Sequence, residues 1–198
     1  HWMVHSFPTR RSSDLATAQA CKQAGLDLET PEPTDGVNRT RMGIYLGAGE
    51  GSFDNEAFFG TIIAGWDAQQ QQLVWPQSIR FAMENMKAAK ELEQEPNMAA
   101  AHVSLLTGAR GPVRSCLTAC AASTQAVGEA MMLIRRGDAD VMIAGGAHSM
   151  IHPLGITGFN LLTALSRRND SPQTASRPFS ASRDGFVIGE GAAILVLE

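Results

Sequence analysis

The stretch Gly111–Glu129, GPVRSCLTACAASTQAVGE, constrains this chain most. Val113 to Leu117 is a short, mostly apolar run that reads as a buried strand. Thr118 to Ser123 is a run of small residues. From Gln125 the pattern turns periodic, with Ala126, Val127, Ala130, Met131, Leu133 and Ile134 at helical spacing. The order is strand, tight turn, helix, with Cys120 at or near the turn. A thiol at a helix N-terminus meets free backbone N–H groups and the positive end of the macrodipole, and both stabilise its thiolate. The same N–H groups can hold a developing oxyanion, and small neighbours let a substrate approach. This is a nucleophile elbow with sulfur as the nucleophile. A free cysteine is also often a small buried hydrophobe, so the spacing alone leaves both readings open.

The remainder of the chain fits alternating strands and helices. Its 198 residues suffice for one domain with a real core, and its nineteen glycines cluster at turns between apolar segments. A net charge of −4 gives no support to a nucleic-acid partner. Cysteines at 21, 116 and 120 make no disulfide framework and suit a reducing cytoplasm. No apolar run approaches membrane-spanning length.

Ala16 to Leu26 reads as the end of a helix, stopped near Gly25. Asp27 to Thr40 is a polar loop. Arg41 to Gly49 is a strand ending in glycines, and GAGEG lacks the full dinucleotide-binding spacing. Helices are expected over Asn55–Trp66, Ile79–Leu92 and Asn97–Thr107, with Gln69–Gln72 a solvated loop and Lys87–Glu95 a charged, solvated end. His102, in the third helix, reads as structural. Cys116 reads as a small core residue. The helix after Cys120 ends at Arg135-Arg136-Gly137, and Asp140 to Gly146 is a buried parallel strand. His148 and His152 lack a third ligand and read as loop residues. Ala192 to Leu197 is another core strand, reached from Phe186.

Several phrases in order carry a family resemblance: NMAAAHVSLLTGARGP, LTACAAS, IRRGDADVMIAGGAHSM, HPLGITGFNLLTALSRRND and SRPFSASRDGFVIGEGAAILVLE. Together they cover Asn97 to Glu198 almost without a gap. On them the chain resembles a β-ketoacyl-[acyl carrier protein] synthase, a condensing enzyme of the thiolase-like superfamily. The elongating type II form of fatty acid synthesis is closest in phrasing. Modular polyketide ketosynthases more often read DTACSSSL at the nucleophile, and a chain-length factor would have lost the cysteine. A polyketide ketosynthase and a non-catalytic carrier-protein-binding half subunit are the alternatives.

The resemblance implies an α/β fold, the N-terminal half of a layered α/β/α/β/α architecture. Its core sheet is mostly parallel with helices on its faces, and the family's first strand is missing. It implies that Cys120 is the acyl-accepting nucleophile, with its backbone N–H in the oxyanion hole, and that Phe186 lines the acyl pocket. Substrates arrive on the phosphopantetheine of an acyl carrier protein, with no other cofactor and no metal. The parent enzyme would be a cytoplasmic homodimer without nucleic-acid or membrane partners. The family's paired histidines, supporting lysine and glycine-rich oxyanion loop belong to the C-terminal half and have no counterpart before Glu198, so these residues alone are expected to be inactive. Residues 53–95 match the family poorly. They fit either a cover for the acyl pocket near a dimer interface or a surface excursion. His148 stands where the family commonly has an acidic residue. Residues 1–15, HWMVHSFPTRRSSDL, resemble a translated sequencing adapter. They are expected to be a non-native, disordered segment packing against nothing, followed by an incomplete synthase domain over 16–198.

Overall fold

A computed structural model describes residues 8–28, 35–49 and 54–198, with the backbone alone for residues 8–11. Phe7, the loop prolines 31 and 33, and Glu50-Gly51 lie outside the described residues.

Two compact units divide the chain, residues 1–148 with 191–198, and residues 149–190. The first is built on a sheet of four strands: β1 (Met42–Ala48), β4 (Val113–Cys116), β5 (Val141–Ser149) and β6 (Glu190–Leu197). Their order is β4-β1-β5-β6. β1 runs parallel to both β4 and β5, with Gly47 level with Cys116 on one side and Gly146 on the other. β1 is buried along its whole length, as a central parallel strand requires.

Side chains of β1 alternate between the two faces. Met42, Ile44 and Leu46 join Val141 and Ile143 in a core with Cys21, Ala99, Ala100 and Val103. That face is covered by α1 (Pro8–Gln23) and α5 (Met98–Thr107). Tyr45 faces the other way, into a core with Met142, Ala144, Ala126, Ala130 and Leu133. The last three belong to α6 (Ala122–Arg135). Helices therefore cover both faces of a mostly parallel sheet, as the sequence implies.

Helix α1 departs from the sequence expectation. Residues 8–15 form its first two turns, and Ser13 is fully buried, so this stretch does not pack against nothing. The physical reason is the spacing of Ser13, Thr17 and Cys21. They fall at i, i+4 and i+8 on one face and are all 0 % exposed. Small side chains let α1 lie close against α5, a face that a search for large apolar residues overlooks. α1 is closed just past its last residue by Gly25, whose φ of 73° supplies the left-handed cap.

The block after β1 is a helical hairpin. α2 (Asn55–Gly65) and α3 (Trp75–Asn85) pack together, joined through the short strands β2 (Trp66–Asp67) and β3 (Gln72–Leu73). Gly60 admits the ring of Phe81, and Gly65 admits Ser78. Asp54 caps α2, accepting from the Ala57 amide at 3.3 Å and pairing with Lys90 at 2.9 Å. The single helix expected over Ile79–Leu92 is broken at Met86-Lys87, and α4 (Ala88–Leu92) follows.

The second unit carries α7 (Pro153–Leu161), capped by His152, whose Nδ1 accepts from the Gly155 amide at 3.2 Å. Its loops are tied by Asp184, which accepts from the Ser166 hydroxyl, the Arg167 amide and the Arg177 guanidinium. Among the described residues no helix is long and apolar enough to cross a membrane.

Candidate active site

Cys120 lies where the sequence predicts, between strand and helix. β4 ends at Cys116, a single 3₁₀ turn spans Ala119–Ala121, and α6 begins at Ala122. The Ala121 amide closes the turn by donating to the Thr118 carbonyl at 3.1 Å. Ala119 has a φ of 51°, in the left-handed region. For a residue with a Cβ this costs on the order of 1–2 kcal/mol, and such strain gathers at functional turns. Cys120 is exposed. No side chain at the N-cap, Ala121, takes up the first free N–H groups of α6.

Two glycines bring this turn down onto the sheet. A Cβ at Gly47 would collide with the Ala122 carbonyl, and one at Gly146 would collide with the Ser123 hydroxyl. These glycines of β1 and β5 thus serve close approach of a helix N-terminus.

A cavity of about 350 Å³ opens at the carboxyl ends of β1 and β5. Ala119 and Ala122, on either side of Cys120, line it together with Gly47, Ser123, His148 and Ala192. Carboxyl ends of parallel strands are where open α/β sheets bind ligands. Ser123 and His148 bring its polar side chains. The His148 imidazole rests against Gly49, where a Cβ would displace it. Neither residue stands out in the sequence as cavity lining. The only available signal is their position, three residues after Cys120 and two after the buried glycine pair.

The other thiols occupy different surroundings. Burial pushes the Cys21 thiol up to about 11, against the pull of Arg39. Burial also pushes Cys116 up, with the charge of Glu129 adding to it. The Cys116 thiol donates to the Ala122 carbonyl at 3.2 Å. His102 is buried and bonds through Nε2 to the Glu93 carboxylate at 2.9 Å. Phe186 belongs to the second unit. It is 44 % exposed and meets Phe159 edge to face at 5.1 Å. Its backbone bridges to Leu165.

A mostly parallel sheet under helices on both faces, with a cysteine on a strained strand-to-helix turn at its carboxyl edge, defines the thiolase-like α/β class. The family described as Beta-ketoacyl synthase, N-terminal domain, matches residues 8–198. The chain belongs to that family. It is 40 % identical over 167 residues to the mitochondrial 3-oxoacyl-[acyl-carrier-protein] synthase of Arabidopsis thaliana, covering 84 % of this chain and 33 % of that protein. It is 37 % identical over 184 residues to 3-oxoacyl-[acyl-carrier-protein] synthase 2 of Vibrio harveyi, covering 92 % of this chain and 39 % of the relative. A β-ketoacyl synthase crystal structure from Burkholderia phymatum superposes with a TM-score of 0.73 at 31 % identity, over 96 % of this chain and 41 % of that one. A type II polyketide ketosynthase in complex with its acyl-carrier protein superposes with a TM-score of 0.77 at 28 % identity, over 100 % and 45 %. The chain therefore spans less than half the length of the proteins it matches.

Proposed function

We propose that the protein is an acyltransferase of fatty acid synthesis and that Cys120 is its nucleophile. The observation that carries this is the strained turn at Ala119, which presents an exposed Cys120 beside the cavity at the N-terminus of α6. In the reaction the Cys120 thiolate attacks an acyl thioester on an acyl carrier protein, and the carrier thiol leaves. The backbone N–H groups of the turn hold the oxyanion. A malonyl thioester on a second carrier then loses carbon dioxide. The resulting enolate attacks the acyl-Cys120 carbonyl, giving a β-ketoacyl carrier and freeing the thiol. The small residues around Cys120 admit the thioester without steric conflict.

The family resemblance assigns the histidines that stabilise the enolate to the part of the relatives beyond the span matched here. Phe186 is proposed as a wall of the acyl pocket, on the same resemblance. The substrates ride on phosphopantetheine, so the protein needs no cofactor of its own. A homodimer in the cytoplasm completes the proposal, as does the non-native origin of the first fifteen residues. Resequencing the locus across residue 16 tests that last point.

The polyketide reading has its own support in the superposition on a polyketide ketosynthase over the whole chain. One experiment addresses both. The protein encoded by the complete reading frame is incubated with a short saturated acyl-acyl carrier protein and examined by intact mass. A single acyl adduct on Cys120, lost in Cys120→Ser, is expected. An adduct that persists in Cys120→Ser overturns the assignment. Acylation by a polyketide carrier alone supports the second reading.

A further inference from the structure

The face that α6 turns to the sheet is almost featureless. Ala122, Ala126 and Ala130 are its buried residues until Leu133, and at its N-terminus it meets bare glycine at Gly47 and Gly146. Methyl groups on the helix permit close packing but offer few knobs to lock between the Tyr45 and Met142 side chains of the sheet, so they resist sliding and rotation weakly. Yet Cys120 precedes the first residue of this helix by two positions, so any axial slip of α6 moves the nucleophile directly.

One directional contact crosses this interface well inside the helix. The Tyr45 hydroxyl, on the central strand and in a residue only 6 % exposed, donates to the Glu129 carboxylate at 2.5 Å. Gln125, one turn earlier on α6, donates to the other carboxylate oxygen at 2.7 Å and fixes its orientation. A buried hydroxyl bonded to a carboxylate is among the stronger and more directional hydrogen bonds available to a protein. Burial of the Tyr45 hydroxyl raises the cost of leaving it without an acceptor. Glu129 is also the only acidic residue of α6. The hydrogen bonds from Tyr45 and then Gln125 favour the ionised carboxylate, with the charge of Arg114 on β4 adding to them, and the bond to Glu129 holds the tyrosine protonated.

We infer that Tyr45 and Glu129, oriented by Gln125, are positioning residues that pin α6 in its axial register and thereby set the place of Cys120. The inference rests on the reading of Cys120 as the nucleophile. The pin is nine residues from the thiol and touches no substrate, so it acts only through the helix. The Cys116 thiol, bonded to the Ala122 carbonyl, is a weaker tie nearer the turn.

The test is the second-order rate of Cys120 alkylation by iodoacetamide in the full chain, read by peptide mass spectrometry well below the melting temperature. Tyr45→Phe keeps the ring and its packing but removes the donor. It is expected to change the Cys120 rate by at least about fivefold, since small displacements of reacting groups cost rate steeply. Glu129→Ala should do the same. Glu129→Gln retains an acceptor for the Tyr45 hydroxyl and should restore the rate to within about twofold of the parent. A merely structural role would lower the melting temperature in Tyr45→Phe and leave the Cys120 rate unchanged, and that result overturns the inference. The parent rate, compared with that of the urea-unfolded chain, separately tests whether Cys120 is activated at all. A parent rate no higher than the unfolded one counts against the nucleophile reading, while the ratio between variants still decides the pin.

Discussion

Burial removes Cys21 from thiol chemistry, whereas the turn delivers Cys120 to solvent. With its thiol at about 11, Cys21 holds roughly one molecule in a thousand as thiolate at pH 8, and that sulfur is 0 % exposed. Cys116 is partly covered, raised by burial and engaged with the Ala122 carbonyl. Iodoacetamide at pH 8 is therefore expected to label Cys120 first, Cys116 slowly and Cys21 only after unfolding. Equal labelling of Cys116 and Cys120 would show that the turn confers no advantage. The place of Cys120 was legible in the sequence because small residues between an apolar run and a helical period have few other uses. The left-handed Ala119 was not, since alanine carries no signature for φ near 51° and glycine would have been the natural guess. Tyr45 left a fainter trace as the polar group in the run MGIYLGA, and a buried hydroxyl requires a partner. Nothing in the sequence says that the partner lies 84 residues away on α6.

At the scale of elements, the glycines of β1 and β5 matter because of what lies above them. The strand over Arg41–Gly49 and its glycine ending were readable. Their purpose required the crossing of α6 over Gly47 and Gly146. Gly47→Ala is expected to force the Ala122 carbonyl away, costing about 1–3 kcal/mol in urea unfolding, the usual range for overpacking. Because the displaced backbone is the turn itself, the Cys120 alkylation rate should fall in the same variant. A loss of stability with an unchanged rate would mean that the helix yields farther along its length. The first two turns of α1 escaped the sequence reading for a related reason, although its later part and the core place of Cys21 did not. Ser13, Thr17 and Cys21 form a buried face without one large side chain, and α5 answers with Ala99 and Ala100. Packing of small against small leaves little hydrophobic periodicity to detect. The break between α3 and α4 was missed because helix formers continue through Met86-Lys87, where the backbone nevertheless turns extended at two exposed residues.

Across the whole molecule, ion pairs and the Tyr45–Glu129 bond set the response to pH from opposite sides. Hydrogen bonding from Lys90 holds the Asp54 carboxyl below its usual range, although burial opposes it. Burial would raise Asp35, but bonds from Arg39 and from the Asp27 and Val37 amides more than offset that. Arg41 lowers Asp140 through a two-pronged pair at 2.6 Å, and Ser166 lowers Asp184. A carboxyl lowered in the folded state is protonated first in the unfolded chain as pH falls. Its contribution is therefore present above the unfolded value of 3.8 and is lost as pH drops through the folded value. Tyr45 works the other way. Its hydroxyl is raised from 10.0 to about 12 by the bond to Glu129, so its contribution is whole below pH 10 and disappears as pH rises towards 12. Urea midpoints from pH 3 to 11 should give a plateau with a falling arm at each end. Asp54→Asn keeps a capping side chain on α2 but loses the charge paired with Lys90, and should make the acid arm shallower while leaving the alkaline arm as it is. Tyr45→Phe should make the alkaline arm shallower above pH 10, leaving the part between pH 9 and 11 that the buried Cys21 thiol contributes. The exposed Arg41–Asp140 contribution should shrink in 1 M salt, while that of the enclosed Asp35 pair persists. An alkaline arm unaltered in Tyr45→Phe would assign that titration to a different group and leave Tyr45 with its packing role only.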